Sequence, residues 1–293
     1  MLRKKDDHKK NVGHVETTGH EWDGLEELNN PAPRWWIWVF LITIVWAIGY
    51  WVVYPAWPTL SGNTKGTKAW TEYTKLHAEQ AEIMAIRQVS LNKIQASTLE
   101  QIAKDPTLYN VALVGGRAAF RENCAACHGT GGQGGKGYPN LNDDDWLWGG
   151  DLEAIYTTIK YGIRSSHEKT RDSQMPAFGK TSILTQDQIS DVGDYVLSLS
   201  TGKGANAKGE TIFKEQCSAC HGSTGHGSKD VGAPNLADAI WLYGGTKQDI
   251  QHQVTNPKHG VMPTWETRLS DATIKQLAIY VHELGGGEKG KSQ

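Results

Sequence analysis

Cysteine, methionine and phenylalanine are scarce in this 293-residue chain, four of each. An excess of one charge is also missing. Thirty Lys and Arg against 32 Asp and Glu leave a formal net charge of -2, so no global field draws the chain to nucleic acid. Low hydrophobic content is not among its features: 38% apolar residues exclude wholesale disorder. Long apolar runs are absent with one exception, described below. Against these shortages stand 33 Gly and 12 Trp, so glycine and tryptophan carry specific duties.

One pentapeptide, used twice, consumes every cysteine: CAACH at 124–128 and CSACH at 217–221. Disulfides, redox dithiols and zinc half-sites are the alternatives for paired cysteines, and each leaves the repeated histidine unexplained. C-x-x-C-H reads as c-type haem attachment. Cys124 and Cys127, and again Cys217 and Cys220, add their thiols to the haem vinyl groups, while His128 and His221 ligate iron from the same helical turn. The cofactors expected are therefore two covalently bound haem c groups.

The single long apolar run covers residues 35–57, which contain no charged side chain and exceed the ~20 residues needed to span a bilayer. Trp35, Trp36 and Trp38 at one end and Trp51, Tyr54 and Trp57 at the other form aromatic belts. A cleavable signal peptide is shorter and lies at the terminus. Six Lys or Arg before the span against three soon after it predict a cytoplasmic N-terminus. Haem attachment outside the bacterial inner membrane gives the same orientation, with both haem domains periplasmic. The run holds no Asp, Glu, Lys, Arg or His, so nothing in it argues for a proton channel.

Residues 1–34, with His8, His14 and His20, show no helical or strand period and are predicted to form a disordered cytoplasmic tail. Turn chemistry at 58–66 ends the membrane helix. From 67 to 97 there is no Gly or Pro, and apolar residues recur at helical spacing, so an amphipathic helix is expected. It either folds back on the haem domains or lies along a partner. Asp105-Pro106 reads as N-cap and first position of a further short helix over 107–114. Residues 58–110 are thus a helical linker.

The remainder is an internal repeat. Phe120 and Phe213, like Cys124 and Cys217, stand 93 residues apart; Pro139 and Pro234, and Trp146 and Trp241, stand 95 apart. Met175-Pro176 and Met262-Pro263 are 87 apart, so the first copy has extra loop around 165–172. The expected domains are 111–201 and 202–293, each small for an unaided core and completed by its haem.

Met175 and Met262 are the paired candidates for distal iron ligands; His167, His226, His252, His259 and His282 have no aligned counterparts. Spacing does not separate in-domain from exchanged pairing. A repeat that closes its own coordination shell pairs His128 with Met175 and His221 with Met262, which is the expectation. The glycine-rich loops after each motif lack GK[ST], which excludes a phosphate loop. Pro139 and Pro234 are predicted to offer a carbonyl to the Nδ1–H of His128 and His221. Trp146 and Trp241 are either core residues or indole donors to a haem propionate. The acidic run 143–145 either steers a basic cytochrome or is a solvated loop.

Gly116-x-x-x-Phe120 recurs as Gly209-x-x-x-Phe213, and the late helices carry Tyr195 and Tyr280. On these residues each copy resembles a class I cytochrome c domain, whose first and last helices cross through the small residue and the aromatic. The segment HEWDGLEELNNPAPRWW, residues 20–36, resembles the pre-membrane segment of subunit III of the cbb3-type cytochrome c oxidases, and the likeness extends over almost the entire chain. The implied fold is all-α, one transmembrane helix followed by two tandem class I cytochrome c domains. The implied role is an electron-transfer subunit, not itself catalytic. Its partners would be the haem-copper oxidase subunit, a monohaem c subunit and a soluble cytochrome c donor, all at the inner membrane. A membrane-tethered dihaem shuttle without an oxidase is the alternative. A dihaem peroxidase needs an open iron site, against which the paired methionines argue.

Overall fold

The computed structural model describes residues 11–12 and 15–288. It divides at Met84/Ala85 into two compact units, each taken by itself below.

The N-terminal unit opens with a three-stranded antiparallel sheet, β1 (Asn11–Val12), β2 (Val15–Trp22) and β3 (Leu25–Leu28). This corrects the expectation of a disordered tail over 15–28; His8 and His14 lie outside the described residues. The turn between β2 and β3 is Asp23-Gly24, with φ of 48° and 85°. Both values are positive, the geometry of a two-residue I′ hairpin turn. Helix α1 (Arg34–Val53) is the candidate membrane span. It has no buried residue and ends before Tyr54, so of the second aromatic belt Trp51 lies within the helix and Tyr54 and Trp57 lie beyond it. A two-residue hairpin, β4 (Pro58–Thr59) and β5 (Gly62–Asn63), follows.

Helix α2 (Glu72–Ala96) forms within the expected segment, but over its length the apolar side chains do not gather on one face, which corrects the amphipathic expectation. In the C-terminal unit, Leu91 and Ile94 at its end join the core of the first CxxCH site, so residues 58–110 are not a separate linker. Tyr73, Ile83, Ile86 and Val89 are exposed. Helix α3 (Leu99–Lys104) starts with a Thr98/Gln101 capping box and adds Leu99 and Ile102 to the same core. Helix α4 (Pro106–Asn123) is capped by Asp105, which accepts from the amides of Thr107 and Leu108. It runs unbroken through Gly115 and Gly116, so the short helix expected at 107–114 and the helix before the first cysteine are one element. Then come α5 (Ala125–His128), α6 (Leu152–Tyr161), α7 (Gln186–Thr201), α8 (Ala207–Gln216), α9 (Ser218–His221), α10 (Lys247–Thr255) and α11 (Asp271–His282).

The packed bodies differ from the sequence repeats. Helix α11, the last of the second repeat, crosses α4, the first of the first repeat. Helix α7, the last of the first repeat, crosses α8 of the second. Each crossing passes through glycine. A Cβ on Gly116 would collide with the Gln276 carbonyl and lie 2.7 Å from Tyr280 Cβ, and one on Gly209 would collide with the Asp191 carbonyl and lie 2.8 Å from Tyr195 Cβ. The rings beside these contacts, Phe120 with Tyr280 and Phe213 with Tyr195, have centroids 5.3 Å apart in both cases. One buried core thus joins α3, α4, α6 and α11 through Phe120, Ile155, Ile159, Trp265 and Leu277. The other joins α7, α8 and α10 through Ile189, Val192, Phe213, Ile250 and Val254.

The expected boundaries, 111–201 and 202–293, therefore do not outline the two bodies. The second body is continuous in sequence, from the Met175 loop through α10. It is inserted in the first, which the chain leaves after α6 and re-enters before Met262. Five residues, 202–206, join α7 to α8. A connection that short keeps consecutive helices as neighbours.

Candidate functional site

Both motifs fold as one helical turn closing the preceding helix. The amides of Cys127 and His128 donate to the Cys124 carbonyl at 3.1 and 3.0 Å, and those of Cys220 and His221 to the Cys217 carbonyl at 3.2 and 3.0 Å. The glycine-rich loop then folds back over the histidine: Gly134 donates to the His128 carbonyl and Gly227 to the His221 carbonyl, each at 2.8 Å. These two positions require glycine. Their φ values are 67° and 76°, and a Cβ there would lie 2.7 Å from the Pro139 carbonyl carbon or 2.8 Å from that of Pro234.

This close approach places the Pro139 carbonyl oxygen 3.2 Å from His128 Nδ1 and the Pro234 oxygen 3.1 Å from His221 Nδ1. With Nδ1–H donating, Nε2 is the free lone pair, the tautomer a metal ligand needs. Burial lowers both imidazole pKa values, and the proline carbonyls partly offset it. All four thiols are free. Burial, with the neighbouring cysteine adding to it, pushes Cys124 and Cys217 up to about 11. They are protonated thiols at neutral pH, the form that adds across a vinyl group.

The methionines are placed opposite to the in-domain expectation. Met262 packs against the core of the first motif, beside which Cys124 and Ala125 also lie. Its backbone exchanges two 3.0 Å hydrogen bonds with Ile163 just beyond α6. Met175 packs against the core of the second motif. With Cys217, Cys220, His221, Pro234 and Trp241 it lines a cavity of about 450 Å³, well inside the range of small-molecule and cofactor sites, roughly 300–1,000 Å³. The physical reason is the helix exchange: each methionine loop travels with the last helix of its own repeat.

The two tryptophans part company. Trp146 Nε1–H donates to the Gly286 carbonyl at 2.7 Å and so anchors the C-terminal segment. Trp241 lines the cavity, and its indole N–H has no partner among the described residues. In the acidic run only Asp144 is exposed; Asp143 and Asp145 line the cavity wall. Burial, together with Asp238, Asp143 and Asp144, pushes Asp145 up to about 6.

Two cavity residues gain weight only in the structure: His259, set aside in the sequence for want of an aligned counterpart, and Arg164, not singled out there. His259 has a buried Nε2 with no hydrogen-bond partner. Arg164 lines the same wall, with φ of 50° and no carboxylate within 4 Å among the described residues. Neither has a counterpart in the other repeat, so only the fold exposes them. A cavity holding two thiols, an imidazole with free Nε2 and a thioether, rimmed by an unpaired cation and an orphaned polar atom, fits a covalently attached haem with its propionates.

Comparison with known proteins agrees with this geometry. Residues 14–61 match the family model described as the N-terminal domain of cytochrome oxidase-cbb3, FixP. Residues 112–196 and 204–281 match the model described as cytochrome c oxidase, cbb3-type, subunit III. The cbb3-type cytochrome c oxidase subunit FixP of Bradyrhizobium diazoefficiens is 52% identical over 276 residues, 93% of this chain and 95% of that protein. Subunit CcoP of Azospirillum sp. (strain B510) is 52% identical over 293 residues, covering 96% and 99%. CcoP of Cereibacter sphaeroides is 48% identical over 284 residues, covering 96% and 98%. On these matches and on the paired CxxCH sites, the chain belongs to the subunit III family of the cbb3-type cytochrome c oxidases.

Proposed function

We propose that this chain holds two haem c groups and relays electrons through them, from a soluble cytochrome c to the oxygen-reducing haem-copper subunit of a membrane complex that also contains a monohaem c subunit. The chain is a carrier and does not itself reduce oxygen. When bound, haem c supplies reversible one-electron chemistry at iron. Cys124, Cys127 and His128 would hold the first group and Cys217, Cys220 and His221 the second. Met262 would complete the first iron and Met175 the second, an exchange between the sequence repeats.

The protein's own contribution is rigidity. The proline carbonyls fix each histidine tautomer, and the methionine loops are packed against buried cores, so oxidation and reduction meet a preformed coordination shell. Helix α1 would anchor the chain in the inner membrane with its N-terminus cytoplasmic and both haem sites periplasmic. The observation that carries the proposal is the twofold histidine-to-proline geometry, with one methionine packed against the core of each motif, in a chain of this family.

Purification in mild detergent, with an optical spectrum and metal analysis, tests it. Two low-spin c haems per chain are expected, accompanied by b-type haem and copper. A chain that copurifies with c haem alone would instead be a tethered shuttle.

A further inference from the structure

The two methionine loops meet at one side chain. Arg164 donates Nε–H to the Gly260 carbonyl at 2.7 Å and Nη1–H to the Ser173 carbonyl at 2.9 Å. Gly260 stands two residues before Met262, and Ser173 two residues before Met175. A planar fork with five fixed donors holds two carbonyls at set directions at once, whereas a lysine ammonium can reach two carbonyls but rotates and fixes neither direction.

The backbone that presents this fork is itself held in place. Ile163 pairs with Met262 through two 3.0 Å hydrogen bonds, and the Arg164 amide donates to the Arg171 carbonyl at 2.9 Å. Arg164 adopts φ of 50°, a left-handed conformation disfavoured for a side chain of this size. An unfavourable conformation persists where its surroundings over-determine it, and such positions gather at functional sites. The guanidinium is partly buried, lines the second haem cavity and has no carboxylate within 4 Å among the described residues.

We infer that Arg164 is a positioning residue for both distal methionines, a clasp between the Met175 and Met262 loops that couples the distal coordination of the two haems. This rests on the reading of Met175 and Met262 as distal ligands. It makes the crossing point of the exchanged segments a single mechanical element. Loosening the fork would release two thioethers that belong to different haems.

The test uses the full chain carrying two covalent haems, quantified from its alkaline pyridine spectrum. Ferric samples are examined for the weak near-red sulfur-to-iron charge-transfer band by absorption and magnetic circular dichroism, and both haems are titrated for potential. The R164Q variant is expected to lose or weaken the band at both haems and to lower both potentials, with both haems still attached. R164K, which keeps the charge but not the fork, should keep part of the band and lose it at lower temperature than the parent. If R164Q does not retain its haems, R164K is read alone, and thermal loss of the band unchanged from the parent at either haem overturns the clasp. Loss at one haem only, or at neither, in R164Q overturns it as well. A parent protein without any sulfur-to-iron band fails earlier, at the assignment of the methionines, and is thereby distinguished from failure of the clasp.

Discussion

The two CxxCH bodies use the same motif, loop and helix crossing, yet their chains run in different orders. The second is continuous: methionine loop, last helix, first helix, CxxCH, short helix. The first is interrupted, with α4, α5 and α6 separated by that whole second body from the Met262 loop and α11. Its late-arriving parts are tied down by charge. Tyr156 on α6 donates its hydroxyl to Asp271 on α11, Lys160 donates to Tyr156 at 2.9 Å and lies 3.6 Å from both Asp271 and Glu266, and Lys275 reaches the carbonyls of Gln95 and Ser97 at 2.8 and 2.9 Å. The second body has less of this among the described residues: one ion pair between α10 and α7, Lys247 to Asp194 at 2.7 Å, and Asn206 to Asp191 at 2.9 Å beside the helix crossing. A body closed by a five-residue helix connection holds its partners at high effective concentration. One closed by a distant segment needs added directional contacts.

The sharpest way to break this comparison is to ask which methionine serves which iron. In a background with Cys217 and Cys220 changed to Ala, only the haem on His128 remains covalently attached. There M262A is expected to abolish the ferric sulfur-to-iron band completely, and M175A to leave it in place. The reverse result would restore in-repeat pairing and remove the exchange.

That exchange marks the boundary of what the sequence discloses. Cys124, Cys127, His128 and their second copies are local: i, i+3 and i+4 on one turn, which pentapeptide chemistry specifies by itself. The proline partners are nearly local, 11 residues on for His128 and 13 for His221. Met262 against the first core is separated from His128 by an entire body, and repeat alignment shows equivalence without showing which copy serves which. Asp23-Gly24 is a hairpin signal legible in the sequence, but the strands beside it, eight and four residues long, lack a clean apolar alternation to support it. The fate of Trp146 depended on Gly286, 140 residues away, and Arg164 had no repeat partner to draw attention to it.

A smaller effect is expected at the helix crossings. G209A puts a methyl group against the Asp191 carbonyl and Tyr195 Cβ, where overpacking of this kind costs about 1–3 kcal/mol. Because α7 and α8 belong to the second body, thermal scans that follow each haem should show the His221 haem site melting early while the His128 site holds. Equal loss at both sites would mean that the two bodies unfold as one cooperative unit, and the contrast between them would have no thermodynamic counterpart.

The smallest effect belongs to the charge network of the first body. Burial raises the Asp271 pKa, but hydrogen bonds from Tyr156 and Lys275 outweigh it and leave the carboxyl below its ordinary 3.8. A depressed folded pKa contributes stability that is present above the unfolded value and lost as pH falls through the folded one. The contribution is therefore complete at neutral pH and fades below about pH 4. Asp271 is about one-third exposed, so D271N should cost the first body only about 1 kcal/mol near neutrality. It should also flatten the acid limb of its unfolding curve, leaving the second body unchanged. A D271N protein whose acid limb matches the parent would show that the network is not what fastens α11 to α6, and that apolar contact of Leu277 and Ile274 with the first core suffices to close the interrupted body.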